Sequence, residues 1–440
     1  MPERFTHSCR TVLFGALTLV AFAAPSFGQQ KIMGGYFEEW GIYYAGYNIA
    51  NLQQNGVANR LSHLMYAFAN VTTTPAAACV MADPWADYQT PYLPSVNGQP
   101  YPGPLYGNFA AIQQLKGLHP KLKVLMSIGG ASASNTQAFQ IAASTAAGRQ
   151  ALVSSCIDLF INGNIAPGIT APGLFDGFNI DWEFPTASDT QNFTALLTEF
   201  RNQLDALSKS TGKKYAMSFD GPAGQQNYVN IDLKKAAKQV DFITIDGYDY
   251  AGSWDTQTND GSALFDSKQD PLYGQHLDID DTVNAYLAAG VPARKYTMGV
   301  PLYAAGWTGV PSVNHGLYQS STGPSPVPMA NGVGLCSDLS GNEPGCDVLL
   351  TPGLATYNTL ENLRANGYAV HFDPFRTAVS MYDAAQGTFY TYDNPTTARL
   401  KMLYVDLKIP GGLGGAFVWA LKDDDANGTM VKTMAAFLGR

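Results

Sequence analysis

The chain has 440 residues, 46% hydrophobic, 12% aromatic and only 14% charged, a composition that excludes a disordered or fibrous polypeptide and leaves enough apolar mass for a sizeable core. A net charge of −9 and a pI of about 5.1 offer no cationic face to phosphates or anionic lipid, so nucleic acid is not an expected partner.

From the N terminus, Arg4 and Arg10 precede the apolar run TVLFGALTLVAFAA (11–24), and Ser26 and Gly28 offer small residues at −3 and −1 of a cleavage site. Residues 1–28 therefore read as a signal peptide. The competing reading is a membrane anchor, but fourteen apolar residues fall short of the roughly 20 that span a bilayer. The expectation is a secreted, extracellular protein of residues 29–440 with no membrane partner. Of five cysteines, Cys9 falls in this leader, which leaves Cys79, Cys156, Cys336 and Cys346 for an oxidising compartment.

From residue 31 onward, short β-rich apolar runs alternate with amphipathic segments. Eight stand out: KIMGGYF (31–37), LSHLMYAFA (61–69), LKVLMSIGG (122–130), GFNIDWEF (177–184), YAMSFDG (215–221), DFITIDGY (241–248), YTMGVPLY (296–303) and GGAFVWAL (414–421). Helical patterns between them cover 144–163, 188–212, 280–290 and 396–409, with Ser188 reading as an N-cap and Gly290 as a helix stop. Runs apolar on both faces, each followed by a helix, predict parallel strands covered on the outside. Eight such units predict a closed (β/α)8 TIM barrel of α/β class, the alternative being an open doubly wound sheet.

One interval breaks the rhythm. Residues 308–394 combine Gly/Pro-rich turns, a helical stretch (TYNTLENLRANG, 356–367) and strand-like AVSMYD and TFYTYD, which predicts a small α+β insertion between the seventh and eighth strands, walling a cleft. Within it Cys336 and Cys346 flank SDLSGNEPG and predict a disulfide worth about 3 kcal/mol in the loop-entropy model. Cys79 either pairs with Cys156 or leaves it a buried thiol in the helical ALVSSCIDLF. With six His and no Cys-x-x-Cys, a structural zinc site is disfavoured.

The fourth run, within FDGFNIDWEFP (175–185), carries the chemistry. Strand alternation puts Asn179, Asp181 and Glu183 on one face and Ile180, Trp182 and Phe184 on the other, with Trp182 assigned to the core. Polar groups at the C-terminal end of an interior barrel strand stand where barrel enzymes build their sites. Acids stacked about 7 Å apart raise each other's pKa and keep a proton available near neutral pH. A glycosidic oxygen needs such a donor.

FDGFNIDWEFP resembles the Asp-Gly-x-Asp-x-Asp-x-Glu signature of the family 18 chitinases, secreted glycoside hydrolases of barrel fold, and Ser127-Ile128-Gly129-Gly130 resembles their Ser-x-Gly-Gly strand end. The likeness continues through GYFEEWGIY (35–43), HLMYAFANV (63–71), GYDYAGSW (247–254), MGVPLYAAGW (298–307) and GGAFVWAL (414–421). It implies retaining, substrate-assisted hydrolysis of β-1,4-linked N-acetylglucosamine, outside the two-carboxylate scheme. Glu183 would protonate the leaving oxygen and later act as base, while the sugar's 2-acetamido carbonyl attacks the anomeric carbon. Asp181 would hold the amide N–H and stabilise the oxazolinium ion, and Tyr248 would donate to the acetyl oxygen. Asn179 and Asp176 complete the implied catalytic set. Trp419 would floor the cleaved subsite, with Tyr36, Trp40 and Tyr303 along the walls and Asp246 and Asp249 also binding substrate. The resemblance implies no metal or other cofactor, chitin or chitooligosaccharides as partners, a monomer, and endo action in preference to exo.

Three positions depart from the family pattern. Asn179 stands where the family usually has Asp, and an amide cannot relay a proton. Asp246 stands where Met is usual, which suggests that it returns the negative charge Asn179 removed, with Asp220 a weaker candidate for that role. Ala131 replaces a common Trp, weakening stacking on the leaving-group side. The competing functions are a non-catalytic, lectin-like sugar binder, an endo-β-N-acetylglucosaminidase acting on N-glycans, and a divalent-metal enzyme using Asn179, Asp181, Glu183 and Asp246 as ligands.

Overall fold

The computed structural model describes residues 30–43, 46–329, 335 and 351–440. Cys336, Cys346 and the leader 1–28 lie outside these described residues. Eight parallel strands close into a ring: β1 (Ile32–Glu38), β2 (His63–Thr72), β3 (Lys123–Gly129), β4 (Gly177–Asp181), β5 (Ala216–Gly221), β6 (Phe242–Ile245), β7 (Tyr296–Pro301) and β8 (Gly415–Trp419), with β1 pairing both β2 and β8. The eight apolar runs are these strands, and the fold is a (β/α)8 barrel.

The outer layer follows from spacing. Helix Thr190–Thr211 turns Phe193, Leu196, Leu197, Phe200 and Leu204 inward at helical intervals, and Phe200 meets Phe178 of β4 edge-on at 5.5 Å. Burying each such side chain contributes about 1.5–3 kcal/mol. This helix starts one residue beyond the expected cap. Asp189, not Ser188, occupies the N-cap, because its carboxylate accepts the N–H and hydroxyl of Thr186 (2.9 and 2.6 Å) and closes the preceding turn. Trp182 is core, stacked 5.3 Å from Phe139.

β4 ends at Asp181, β6 at Ile245 and β7 at Pro301, each sooner than the apolar run suggests. β3 and β4 approach unusually closely at those ends. Gly129 has φ +123°, a Cβ there would lie 1.9 Å from the Asp181 carbonyl oxygen, and the Gly130 N–H donates to that same oxygen at 2.8 Å. The Ser-x-Gly-Gly sequence is thus what lets Asp181 sit where it does.

Between β7 and β8 the strand Tyr303–Thr308 begins a second sheet with Gly323–Pro324, Leu354–Thr356, Ala369–Asp373, Ala378–Asp383 and Thr388–Tyr392, joined by helix Tyr357–Ala365. Tyr303, expected at the end of the seventh barrel strand, opens this antiparallel sheet instead. Arg376, 1% exposed, leaves the sheet to pair with Asp260 (2.9 Å) and Asp270 (3.1 Å) in the long segment after β6. The two segments therefore form one wall.

The strand Ala78–Met81 pairs antiparallel with β2, and Cys79 in it is joined by a disulfide to Cys156 at the end of helix Ala146–Cys156, Cα to Cα 5.0 Å. Of the two readings of Cys156, pairing is the one the structure contains. For a separation of 77 residues the loop-entropy relation gives about 4–5 kcal/mol. The paired substitutions Cys79→Ala and Cys156→Ala are expected to remove that amount, seen as a lowered Tm of the oxidised protein; an unchanged Tm would mean the bond carries no such load.

Candidate active site

The layer beneath the barrel mouth is neutral and fully bonded. Asn179, 0% exposed, accepts from Tyr36 Oη (3.0 Å) and Ser127 Oγ (2.8 Å) and donates to Ser218 Oγ (2.9 Å) and Thr244 Oγ1 (3.2 Å). Those bonds use both N–H groups and both acceptor positions of the amide. They also tie β4 to β1, β3, β5 and β6, so Asn179 cross-links the barrel interior under the acids.

Above it the acids crowd together. The Asp181 and Glu183 carboxyls hydrogen-bond to each other, Asp246 hydrogen-bonds to Tyr248, and Asp220 Oδ1 accepts from Thr244 Oγ1 at 3.4 Å. Burial pushes Asp181 well above the ordinary carboxylate range, and the charges of Glu183 and Asp246 add to it. Burial likewise raises Asp220, aided by Asp246, and raises Asp246 against the opposing Tyr248 hydrogen bond. Glu183 is pushed up to about 7, chiefly by burial, with the Asp181 hydrogen bond opposing and Asp249 adding. Lys422, also on the cleft lining, offers these groups no counter-charge, because it pairs with Glu38 (3.1 Å) and Asp423 (2.8 Å). Retained protons are what remain to compensate the charge.

These acids open onto a cleft of about 780 Å³. On one side Trp419 lies 5.1 Å from Tyr36 and stacks on Phe68 at 5.7 Å, and Phe68 in turn lies 6.0 Å from Trp40. On the other, Tyr303 packs edge-on to Tyr248 at 5.9 Å and donates to Asp249 at 2.5 Å. Asp249, on the opposite strand parity from Tyr248, reaches the cleft because β6 has already ended and its backbone turns at φ +60°.

Nine of the eleven expected residues line this one cleft: Glu183, Asp181, Tyr248, Tyr36, Trp40, Asp246, Asp249, Tyr303 and Trp419. Two do not. Asn179 is sealed beneath it, and its amide is consumed by protein partners, which removes it from any metal-ligand set. Asp176 sits at the opposite end of β4, where it pairs with Lys116 (2.8 Å) and Lys123 (3.5 Å) and accepts the Val124 N–H (2.9 Å). Five residues of extended chain put it roughly 17 Å from Asp181, so Asp176 anchors the strand and takes no part in the site. Phe184, expected on the outer face, lines the cleft because alternation lapses after Asp181. Among the described residues no group of three or more His, Cys, Asp or Glu side chains is placed to hold a metal ion.

Sequence reasoning passed over Trp254, 64% exposed on the cleft wall, although it closes the quoted stretch GYDYAGSW. Its ring folds over Gly252, where a Cβ would lie 2.2 Å away, a signal that was legible. Gln226 and Asn227, in the short helix Gln225–Tyr228, and Gln275 also line the cleft, from polar stretches that carry no such signal.

The chain is similar to known proteins along most of its length. The family model for glycosyl hydrolases family 18 matches residues 32–424. The chain is 30% identical to Chitinase C of Streptomyces lividans over 92% of its own length and 59% of the relative's. It is 28% identical to Chitinase A1 of Niallia circulans over 93% and 60%. It thus spans about three-fifths of these two relatives. The catalytic domain of psychrophilic chitinase B from Arthrobacter TAD20 aligns with a TM-score of 0.81 at 32% identity, covering 93% of this chain and 95% of that one. Fold and site together define a barrel-fold glycoside hydrolase. The chain belongs to glycosyl hydrolase family 18.

Asp220 gives a direct test of the acid cluster. Its folded-state pKa lies above its unfolded value, so the folded state binds the proton more tightly and stability falls as pH rises through that interval. Asp220→Asn removes this loss. Its Tm is expected to exceed that of wild type by a margin that grows from pH 4 to pH 8, measured by calorimetry at each pH; a pH-independent difference would contradict the assigned burial.

Proposed function

We propose that this protein hydrolyses β-1,4 linkages between N-acetylglucosamine residues of chitin or chitooligosaccharides, with retention of configuration and with the substrate's own acetamido group as nucleophile. The observation that carries the reading is the hydrogen bond between the half-buried carboxyl of Glu183 and the buried one of Asp181. Two carboxyls in that contact are closer than the roughly 5–5.5 Å of a retaining nucleophile pair or the 6.5–9.5 Å of an inverting pair. A nucleophile from the substrate suits this spacing.

In this reading Glu183, raised to about 7, enters protonated and gives its proton to the leaving oxygen. Asp181, whose Oδ1 receives no donor, accepts the acetamido N–H and stabilises the positive charge that develops as the ring closes. Tyr248 turns its hydroxyl from Asp246 to the acetyl oxygen. Trp419 stacks beneath the sugar's apolar face, which favours a flat carbohydrate over a peptide. Glu183 then takes a proton from the water that opens the oxazolinium ring. Relatives named chitinases on both the sequence and the structural side support the substrate class. Export is proposed as well, supported by the leader-like residues 1–28 and by the disulfide between Cys79 and Cys156.

Glu183→Gln is expected to lower kcat by about 10²-fold to 10⁴-fold on an N-acetylglucosamine hexasaccharide, with the β-anomer appearing first in wild-type digests by proton NMR. Full activity in the variant would refute the assignment. Because the acid must enter protonated, kcat/KM should fall above about pH 7. Asp246 contributes to raising Asp181, so Asp246→Asn should let Asp181 ionise more readily and move the acid limb to lower pH. An unmoved limb with normal activity would end the idea that Asp246 supplies the charge missing at Asn179.

A further inference from the structure

Behind the aromatic side of the cleft, away from Glu183, lies a second pair of buried carboxyls. Glu39 is 3% exposed and Asp87 1% exposed, and their carboxyl groups hydrogen-bond to each other. Tyr66 Oη donates to Asp87 Oδ1 at 2.6 Å, and Asn108 Nδ2 donates to Tyr66 Oη (3.1 Å) and to the Glu39 carbonyl (3.3 Å). Apart from their mutual contact, Glu39 Oε2 and Asp87 Oδ2 receive no donor. Two ionised carboxylates cannot hydrogen-bond, so a proton lies between them. Burial raises both carboxyls above the ordinary range, and the charge of Asp83 adds to each.

The Glu39 carboxyl also accepts the backbone N–H of Phe68. Phe68 is the ring between Trp419 and Trp40, and Trp40 is the residue next to Glu39. A buried acid pair is a costly way to hold a turn, since an apolar pair of equal volume would need no shared proton. Its position under the two rings gives it a use.

We propose that Glu39 is a positioning residue of the substrate cleft: it bridges Asp87 and the Phe68 amide, and so holds the Phe68 ring against which Trp40 and Trp419, the surface on which a sugar stacks, are packed. The inference rests on the carbohydrate reading above and adds the means by which that surface is kept flat. A glutamine, whose carbonyl oxygen accepts and whose NH2 group donates, reproduces both bonds; an ionised glutamate facing an ionised Asp87 reproduces only the one to Phe68.

The test uses Glu39→Gln, Glu39→Ala, Phe68→Ala and the combined Glu39→Ala/Phe68→Ala variant of the full chain, with kcat and KM measured on the N-acetylglucosamine hexasaccharide. Binding of the same sugar is read by tryptophan fluorescence in a Glu183→Gln background. Glu39→Ala is expected to raise KM and the binding constant about tenfold with kcat within about twofold, and Glu39→Gln to restore both. With the Phe68 ring gone, removal of Glu39 should add less than about twofold, because the two act through one surface. Wild-type binding by Glu39→Ala, full additivity in the combined variant, or a tenfold KM rise in the isosteric Glu39→Gln would each overturn the proposal. The last result stands even if the alanine variant does not fold. Failure of wild type to bind the hexasaccharide would overturn the parent reading and this one together, whereas wild-type binding matched by Glu39→Ala overturns this one alone.

Discussion

The site depends on one constraint: carboxyl groups crowded in a low-dielectric barrel mouth, with no ion pair to a cation among the described residues. Burial and mutual charge raise Asp181, Asp220 and Asp246, and burial with Asp249 raises Glu183. Such a cluster cannot ionise fully, so it stores protons where a general acid is required. It also costs stability, and the rest of the barrel has to hold the groups together against that cost.

Backbone and neutral polar contacts do the holding. Gly129 and Gly130 let β3 close on β4 until the Asp181 carbonyl is gripped from the side. Asn179 cross-links the barrel interior below with no charge of its own. An amide in that layer spares the cluster one more carboxylate, while Asp246 brings one in from β6.

The cleft's aromatic side and its far wall are supported by different means. On the aromatic side, Phe68 of β2 and Trp40 of the turn after β1 are linked through the Glu39 and Asp87 pair. On the far side, Arg376 binds the segment after β6 to the second sheet through two buried aspartates. An ion pair with both partners buried is a strong positional constraint, because withdrawing either leaves the other charge uncompensated. Sugar-facing surfaces on loops are in this way held as firmly as those on strands.

The sequence by itself determined eight parallel strands covered by helices, because runs apolar on both faces need cover on both, while closure into a barrel over an open doubly wound sheet is settled by the pairing of β1 with both β2 and β8. It also pointed to the strand that carries the acids, since period-two alternation puts Asn179 and Asp181 on one face and Phe178 and Ile180 on the other. Tertiary structure alone decided the rest. Alternation holds only while a strand lasts, so the early ends of β4, β6 and β7 turned Phe184 and Asp249 into the cleft and handed Tyr303 to another sheet. Asp176 and Asp181 look equivalent in one acidic stretch, yet they sit at opposite ends of a strand. The Cys79 to Cys156 bond and the meeting of Glu39 with Asp87 join residues far apart in the chain, and no local pattern encodes a contact that folding makes between distant segments.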